Sequence, residues 1–303
     1  MSNHSQGLLG ERSASWIGAA ITPALLLLIL TAYLPILFAI TLSFFYRTAF
    51  NPEMVWAGLA NFEWLIAQPD LWAALWRSLV FTTGAVAFQL AFGLFFGLLL
   101  NEAIRGRAIM RSLVILPYLL PTIVIGLVFR WIMNPEFGVV NQILLDIGLV
   151  TRPINFFGGL DYAMPSIIVA TGWQYGSFAA LLILARLQSI NPRLYEAARS
   201  CGAGSWRCFR DVTLPNLRST LLLIALLRGI WMFNKFDLIW IITEGGPLKA
   251  TETLPIYVFR IAFRDFDFGR AAAACLLMFL ILLAVSFVYF RFFTPTKEVE
   301  VGR

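Results

Sequence analysis

Charged residues interrupt one apolar run of the chain in a way that asks for a chemical explanation. Ser219–Thr243 is built of aliphatic and aromatic residues, yet it contains Arg228, Lys235 and Asp237. At membrane depth each such charge costs about 2.5–3.5 kcal/mol on insertion scales, and it faces protein or water rather than lipid. At about 100° per residue, Arg228 and Lys235 are roughly 700° apart, about 20° short of two turns, and share a face. Asp237 follows Lys235 by about 200°, nearly opposite, and does not neutralise the pair within an unbroken helix. The cationic face therefore requires a partner on another helix, a water-filled cavity or an anionic ligand group. Trp231 stands about 60° from Arg228, near the same face. Trp231, Asn234 and Lys235 are the candidates for solute contact on this run, with satisfaction by neighbouring helices as the alternative. Two cations on one face favour a solute that carries phosphate, sulfonate or carboxylate.

Two further islands could bind a polar solute. "TGWQYGS", Thr171–Ser177, is polar and aromatic inside another apolar run. Trp173, Gln174 and Tyr175 there offer ring faces with amide and hydroxyl groups, the mixture that suits sugars; core packing is the alternative. Tyr118 lies between Pro117 and Pro121 in a third run. Other chemistries are poorly supplied. The single histidine, His4, lies in a polar tail, which removes most imidazole-based metal and acid–base chemistry. Cys201, Cys208 and Cys275 have neither zinc-site nor redox-pair spacing. "GGPLKAT" lacks the ending of a phosphate-binding loop, so the chain is not expected to hydrolyse nucleotide. No metal or cofactor is expected on it.

The elements that must carry these residues follow from composition. The chain has 303 residues, 59% hydrophobic and only 13% charged, with a mean hydropathy of +0.78. Uncharged intervals of 34, 24, 18, 24 and 20 residues follow Arg12, Arg77, Arg111, Asp161 and Arg270. All reach the length of about 18 residues that suggests a transmembrane helix. With the interrupted run they make six spans: Ile17–Phe45, Ser78–Leu100, Ser112–Met133, Ala163–Arg186, Leu217–Thr243 and Phe268–Phe290. The first is too long for a signal-peptide core and has no clear cleavage site, so it is read as retained. The expected organisation is a polar tail over 1–16, a membrane domain over 17–293 and a charged tail over 294–303. The fold class is an all-α polytopic membrane protein.

Lys and Arg set the orientation. With both termini cytoplasmic, the inner segments hold thirteen Lys and Arg and the outer loops eight. The net charge of +6 is thus accounted for by topology, and no clustered basic face argues for nucleic acid. On the outer side Trp56, Trp64, Trp72 and Trp76 suit an interface belt. The segment "NPEFGVVNQILLDIGLVTRPINFFGG" could form a short amphipathic helix. Gly93 and Gly97 have the spacing that permits close helix approach in lipid. There is no convincing internal repeat.

One segment stays charged between two apolar runs: "YEAARSCGAGSWRCFRDVTLP", Tyr195–Pro215. "INPRLYEAARSCG" reads as a short helix with Asn191 as N-cap, Pro192 in the first turn and Gly202 as terminator. A second turn is expected around Ser205–Asp211, and Pro215 is expected to start the next span.

These residues resemble the EAA loop of inner-membrane permeases from binding-protein-dependent ABC importers. Glu196, Ala197, Ala198 and Gly202 match the first part of that pattern; Val212, Leu214 and Pro215 match its close, with Val in place of Ile. The resemblance extends to "TEGGP", "TETL" and "FDFGRAA" within Phe233–Ala273, and covers roughly residues 15–295. It is nearest to carbohydrate importers of the maltose and glycerol-phosphate type. The resemblance implies a short cytoplasmic coupling helix between spans four and five, within a segment of about 189–215, that docks on an ATPase. Glu196, Ala197, Ala198, Gly202, Leu214 and Pro215 would form it, with Leu214-Pro215 as the joint to span five. It further implies a second, homologous permease subunit, an ATPase dimer that holds ATP and Mg2+, and an extracytoplasmic solute-binding protein received by the outer loops. The setting would be the bacterial inner membrane, the cargo a sugar-like small molecule, and the chain a transport subunit rather than an enzyme. An ion-coupled secondary carrier and a membrane-bound enzyme are the rival classes.

Overall fold

A segment that crosses a bilayer must satisfy its own backbone polar groups, and this chain does so almost wholly with helices. The computed structural model describes residues 21–102 and 105–292. The two sequence-assigned tails and His4 lie outside the described residues. In chain order the helices are α1 (Ile21–Leu42), α2 (Ala60–Ala67), α3 (Pro69–Asn101), α4 (Arg107–Leu119), α5 (Thr122–Ile132), α6 (Val139–Asp146) and α7 (Ala163–Ser189). They continue with α8 (Pro192–Ser200), α9 (Ser205–Phe233), α10 (Asp237–Thr243), α11 (Leu254–Phe263) and α12 (Phe268–Phe292). A two-stranded antiparallel hairpin, β1 (Phe45–Tyr46) and β2 (Val55–Trp56), follows α1, with Phe45 opposite Trp56.

Among the described residues five helices are long and apolar enough to cross a membrane, and six spans result if α4 and α5 count as one. The sequence reading treated Ser112–Met133 as a single span. Instead the chain bends by 98° between α4 and α5. The cause is Pro121, which disfavours helical backbone at the residue before it. Leu120 is extended, at φ −76° and ψ 139°. Pro117, by contrast, is tolerated inside α4.

Span five starts ahead of Leu217: α9 runs unbroken from Ser205 to Phe233, and Leu214-Pro215 opens its regular α-helical part. Proline cannot donate to the carbonyl four residues back and crowds it. The helix is wound as a π-turn over Phe209–Thr213, immediately ahead, which loosens the turn that Pro215 would otherwise clash with.

Contacts divide the chain into two units: the described residues up to Gln68 with Val258–Phe279, and Pro69–Tyr257 with the described residues from Leu280. In the first unit the "FDFG" segment ties down the hairpin. The Phe268 and Gly269 amides donate to the Arg47 carbonyl at 2.9 and 3.1 Å. Asn61 Nδ2 donates to the Ser43 and Phe45 carbonyls at 2.9 and 3.0 Å. Arg270 stacks over Trp64 at 4.0 Å and pairs with Asp267 at 3.2 Å. Trp64 is therefore held by a cation, whereas Trp56, Trp72 and Trp76 stand exposed. Helix α1 buries almost nothing within the chain; Leu26, Leu27, Leu30 and Leu37 all face outward. So large an apolar face needs lipid or a partner to cover it.

In the second unit α3 and α7 pack along each other. The approach is set at Gly93, where a Cβ would sit 2.6 Å from that of Ala179. This is the close contact that the Gly93–Gly97 spacing anticipates. The core beside it joins Phe81, Ile125, Phe129, Ile167, Met232 and Leu238. The expected short helix after α5 is α6, pinned by Asn141, whose Nδ2 donates to the carbonyls of Asn134 (3.1 Å) and Ile154 (3.0 Å). The "TEGGPLKATETL" loop is fastened as well. Its Lys249 pairs with Asp70 at 2.6 Å, Arg77 donates to the Glu252 carbonyl at 3.2 Å, and the Leu254 amide donates to Ser78 Oγ at 2.7 Å.

Candidate functional site

The intramembrane charges gather around one tyrosine. Helix α9 ends at Phe233 and α10 begins at Asp237. Asn234 supplies the break by bending its amide back to the Ile230 carbonyl at 2.9 Å. This local side-chain bond competes with helix continuation. Lys235 therefore sits beyond the helix, yet it still meets Arg228: its Nζ is 4.4 Å and Arg228 Cζ 4.5 Å from the Tyr175 ring centroid. Lys235 also donates to the Tyr175 hydroxyl. The expectation that Asp237 points away from Lys235 is overturned. The break turns the chain, and Lys235 Nζ lies 2.8 Å from Asp237 Oδ1.

Arg228 is buried, at 1% exposure. Its Nε donates to Gln89 Oε1 at 2.6 Å. Phe178 and Trp231 join Tyr175 over its guanidinium, at 5.7 and 5.1 Å. Tyr118 meets Tyr175 edge-on at 6.1 Å and stacks on Phe178 at 6.0 Å. Among the residues nominated from sequence, Tyr118, Tyr175, Trp231 and Lys235 thus converge. Trp173 does not; it packs against Phe129 at 5.6 Å in the core. Gln174 is buried and faces the α4–α5 bend, with Nε2 3.4 Å from the Leu120 carbonyl and 3.5 Å from Thr122 Oγ1. Asn234 is exposed and acts at the helix end.

The sequence reading missed Gln89 and Phe178. Gln89 had a signal: it is the only amide within the uncharged interval between Arg77 and Glu102 apart from the terminal Asn101. Phe178 had none, being one aromatic among many.

The second candidate is α8. Asn191 Oδ1 accepts from the Arg193 amide at 3.0 Å, which caps its start. Gly202 closes it in the left-handed region, φ +79°. None of its residues is buried. Glu196 and Ala197 face outward, Ala198 is half-buried, and Leu214 and Pro215 are exposed on α9. The Tyr195 hydroxyl lies 3.0 Å from Thr213 Oγ1, which links α8 to the π-turn of α9. Trp206 stands exposed nearby, stacked on Phe209 at 5.6 Å.

Neither candidate resembles a metal or redox centre. Among the described residues no group of three or more His, Cys, Asp or Glu could hold a metal ion, and the three cysteines are free. A cleft of about 350 Å³, lined in part by Arg130, Asn134, Asn155 and Pro247, includes none of the nominated residues.

Residues 89–298 match the family model described as "Binding-protein-dependent transport system inner membrane component". The trehalose/maltose transport system permease protein MalF of Thermococcus litoralis is 31% identical over 291 residues, which span 96% of this chain and 98% of that protein. The sulfoquinovosyl glycerol transport system permease protein SmoG of Agrobacterium fabrum is 32% identical over 286 residues, 93% of this chain and 91% of that one. The fold is shared with a chain of a bacterial alginate ABC transporter, solved in complex with an alginate pentasaccharide-bound periplasmic protein. The TM-score is 0.80 at 21% identity, over 94% of this chain and 96% of that one. A multi-pass helical chain with a family match across two-thirds of its length belongs to the inner membrane components of binding-protein-dependent transport systems.

Proposed function

We propose that the chain is one permease subunit of an ATP-driven ABC importer for a sugar or sugar-derived solute. The observation that carries the coupling is α8: a short helix, capped at both ends, with no buried residue and tied by Tyr195 to α9. An exposed helix so firmly mounted suits a lever seated in a partner. Glu196 offers that partner a charge, the alanines allow close approach, and Gly202 permits the sharp exit. Leu214 and Pro215 lie in the continuous helix that receives the motion.

The solute class is supported by the names of the relatives, which transport trehalose, maltose and sulfoquinovosyl glycerol. A second permease chain completes the pathway, and two ATPase subunits supply ATP and Mg2+. An extracytoplasmic binding protein delivers the solute to the loops around α6 and α10–α11. Both termini and α8 face the cytoplasm of a bacterial cell, and the chain crosses the membrane six times, counting α4–α5 as one span. The Tyr118, Tyr175, Trp231 and Lys235 cluster lies on the solute route, while Trp173, Gln174 and Asn234 serve the core, the α4–α5 bend and the end of α9.

Uptake into proteoliposomes by the co-expressed complex tests this reading. Transport is expected to require ATP and the binding protein, and Glu196→Arg is expected to abolish copurification of the ATPase. Uptake driven by an ion gradient without ATP would support a secondary carrier instead. Full assembly and uptake in the Glu196→Arg variant would remove α8 from the coupling.

A further inference from the structure

The charges at the centre of the second unit do not cancel. Of the two cations that meet at Tyr175, Lys235 is paired with a carboxylate, Asp237. Arg228 is left with a neutral acceptor, Gln89, and three ring faces. Among the described residues its Nη2 has no hydrogen-bond partner, and neither has Gln89 Nε2. Removing a guanidinium from water costs several kcal/mol even after relaxation. Ring faces return only part of that. A fully buried arginine whose Nη2 group lacks an acceptor and which has no counter-charge among the described residues is a poor way to stabilise a fold, but it is a ready receptor for an anion. Its surroundings suit a particular kind of anion. Tyr118 and Trp231 form a partly open aromatic rim, 37% and 47% exposed. Flat rings pack against the faces of sugars, and a guanidinium fork matches carboxylate, sulfonate and phosphate oxygens.

We infer that the solute bears a fixed negative charge on a sugar-sized frame, and that Arg228 Nη2 is the donor that meets it. This rests on the proposed permease function and adds the charge class of the cargo. It also reassigns the role that the sequence suggested for Lys235, which orients Tyr175 and is matched by Asp237. Of the three rings over the guanidinium, Trp231 is the most exposed, so its rotation is the simplest opening towards Nη2.

The test uses the purified transporter complex containing the full chain, without ATP or binding protein. Thermal unfolding is measured with glucuronate, glucose 6-phosphate or glucose at equal high concentration, with sodium chloride matching ionic strength. Glucuronate or glucose 6-phosphate is expected to raise the midpoint by about 2–4 °C, glucose and salt by less than a quarter of that. Gln89→Glu places a carboxylate on the guanidinium and should abolish the anion-dependent rise while the unliganded complex melts no lower than wild type. Arg228→Gln should abolish it as well. An equal rise with glucose, no rise with either anion, or a rise that survives in a folded Gln89→Glu complex would overturn the inference. In the last case the anion binds away from Arg228. Because ATP-driven uptake is a separate measurement, a complex that transports yet fails this assay keeps the permease reading and loses only the anion.

Discussion

Arg228 shows how much a single residue depends on neighbours far away in sequence. Its Nε has one acceptor, Gln89, 139 positions earlier in the chain. Gln89→Leu would leave the buried cation with ring faces alone. Losing the acceptor of a charged donor typically costs about 1.5–3 kcal/mol, so the detergent-solubilised protein should melt below wild type. An unchanged midpoint would mean that the guanidinium finds a second acceptor. Arg228 and Lys235 reach a common target, but not as one helical face: α9 ends at Phe233, two residues before Lys235 and four before Asp237, and the break brings Asp237 back to Lys235. The tyrosine that both cations reach belongs to "TGWQYGS", whose composition marked it as unusual without showing which of its residues faced the charges.

Elements obey the same physics with different outcomes. Pro117, Pro121 and Pro215 in the second unit each have a distinct effect. Pro121 breaks its run at Leu120, Pro117 is absorbed, and Pro215 is accommodated by the π-turn before it. What decides is whether packing on either side rewards a bend. The α4–α5 bend is met by Gln174 from α7, an amide positioned at the carbonyl that the break exposes. At the α3–α7 contact the demand is for smallness. Gly93→Ile would drive side-chain atoms into the Ala179 backbone. Overpacking of this kind costs about 1–3 kcal/mol. The variant should show a lower unfolding midpoint and poor detergent stability, whereas a substitution at solvent-facing Gly204, with open space around it, should not. Equal stability of Gly93→Ile would show that the two helices can separate at little cost.

At the scale of the whole molecule, the chain presents surfaces it cannot cover alone. Helix α1 is bare, and α8 projects with no buried residue. Gly202 governs how α8 returns to the membrane domain. Nothing lies within 4 Å of where its Cβ would be, so the requirement there is purely the left-handed φ of +79°. For an L residue that conformation costs about 1–2 kcal/mol. Gly202→Val is therefore expected to spare folding of the membrane domain but redirect the exit from α8. In the assembled importer, ATP hydrolysis and uptake should become uncoupled, read as the ratio of solute transported to ATP consumed. A wild-type ratio would place the coupling elsewhere.

Much of this protein is local chemistry and could be read directly. Apolar length sets the spans, because lipid leaves the backbone no partner but itself. Asn191-Pro192 and Gly202 bound α8, because capping and positive φ are properties of those residues. The small residues of α3 predicted a close helix contact. What only the tertiary structure decided were the relations between helices: that Gln89 serves Arg228, that Asp237 neutralises Lys235, that one apparent span folds by 98° and that Tyr195 ties α8 to the π-turn of α9. Each depends on which side chain from a distant element supplies a partner or fills a gap, and a periodicity computed along one helix carries no information about its neighbour.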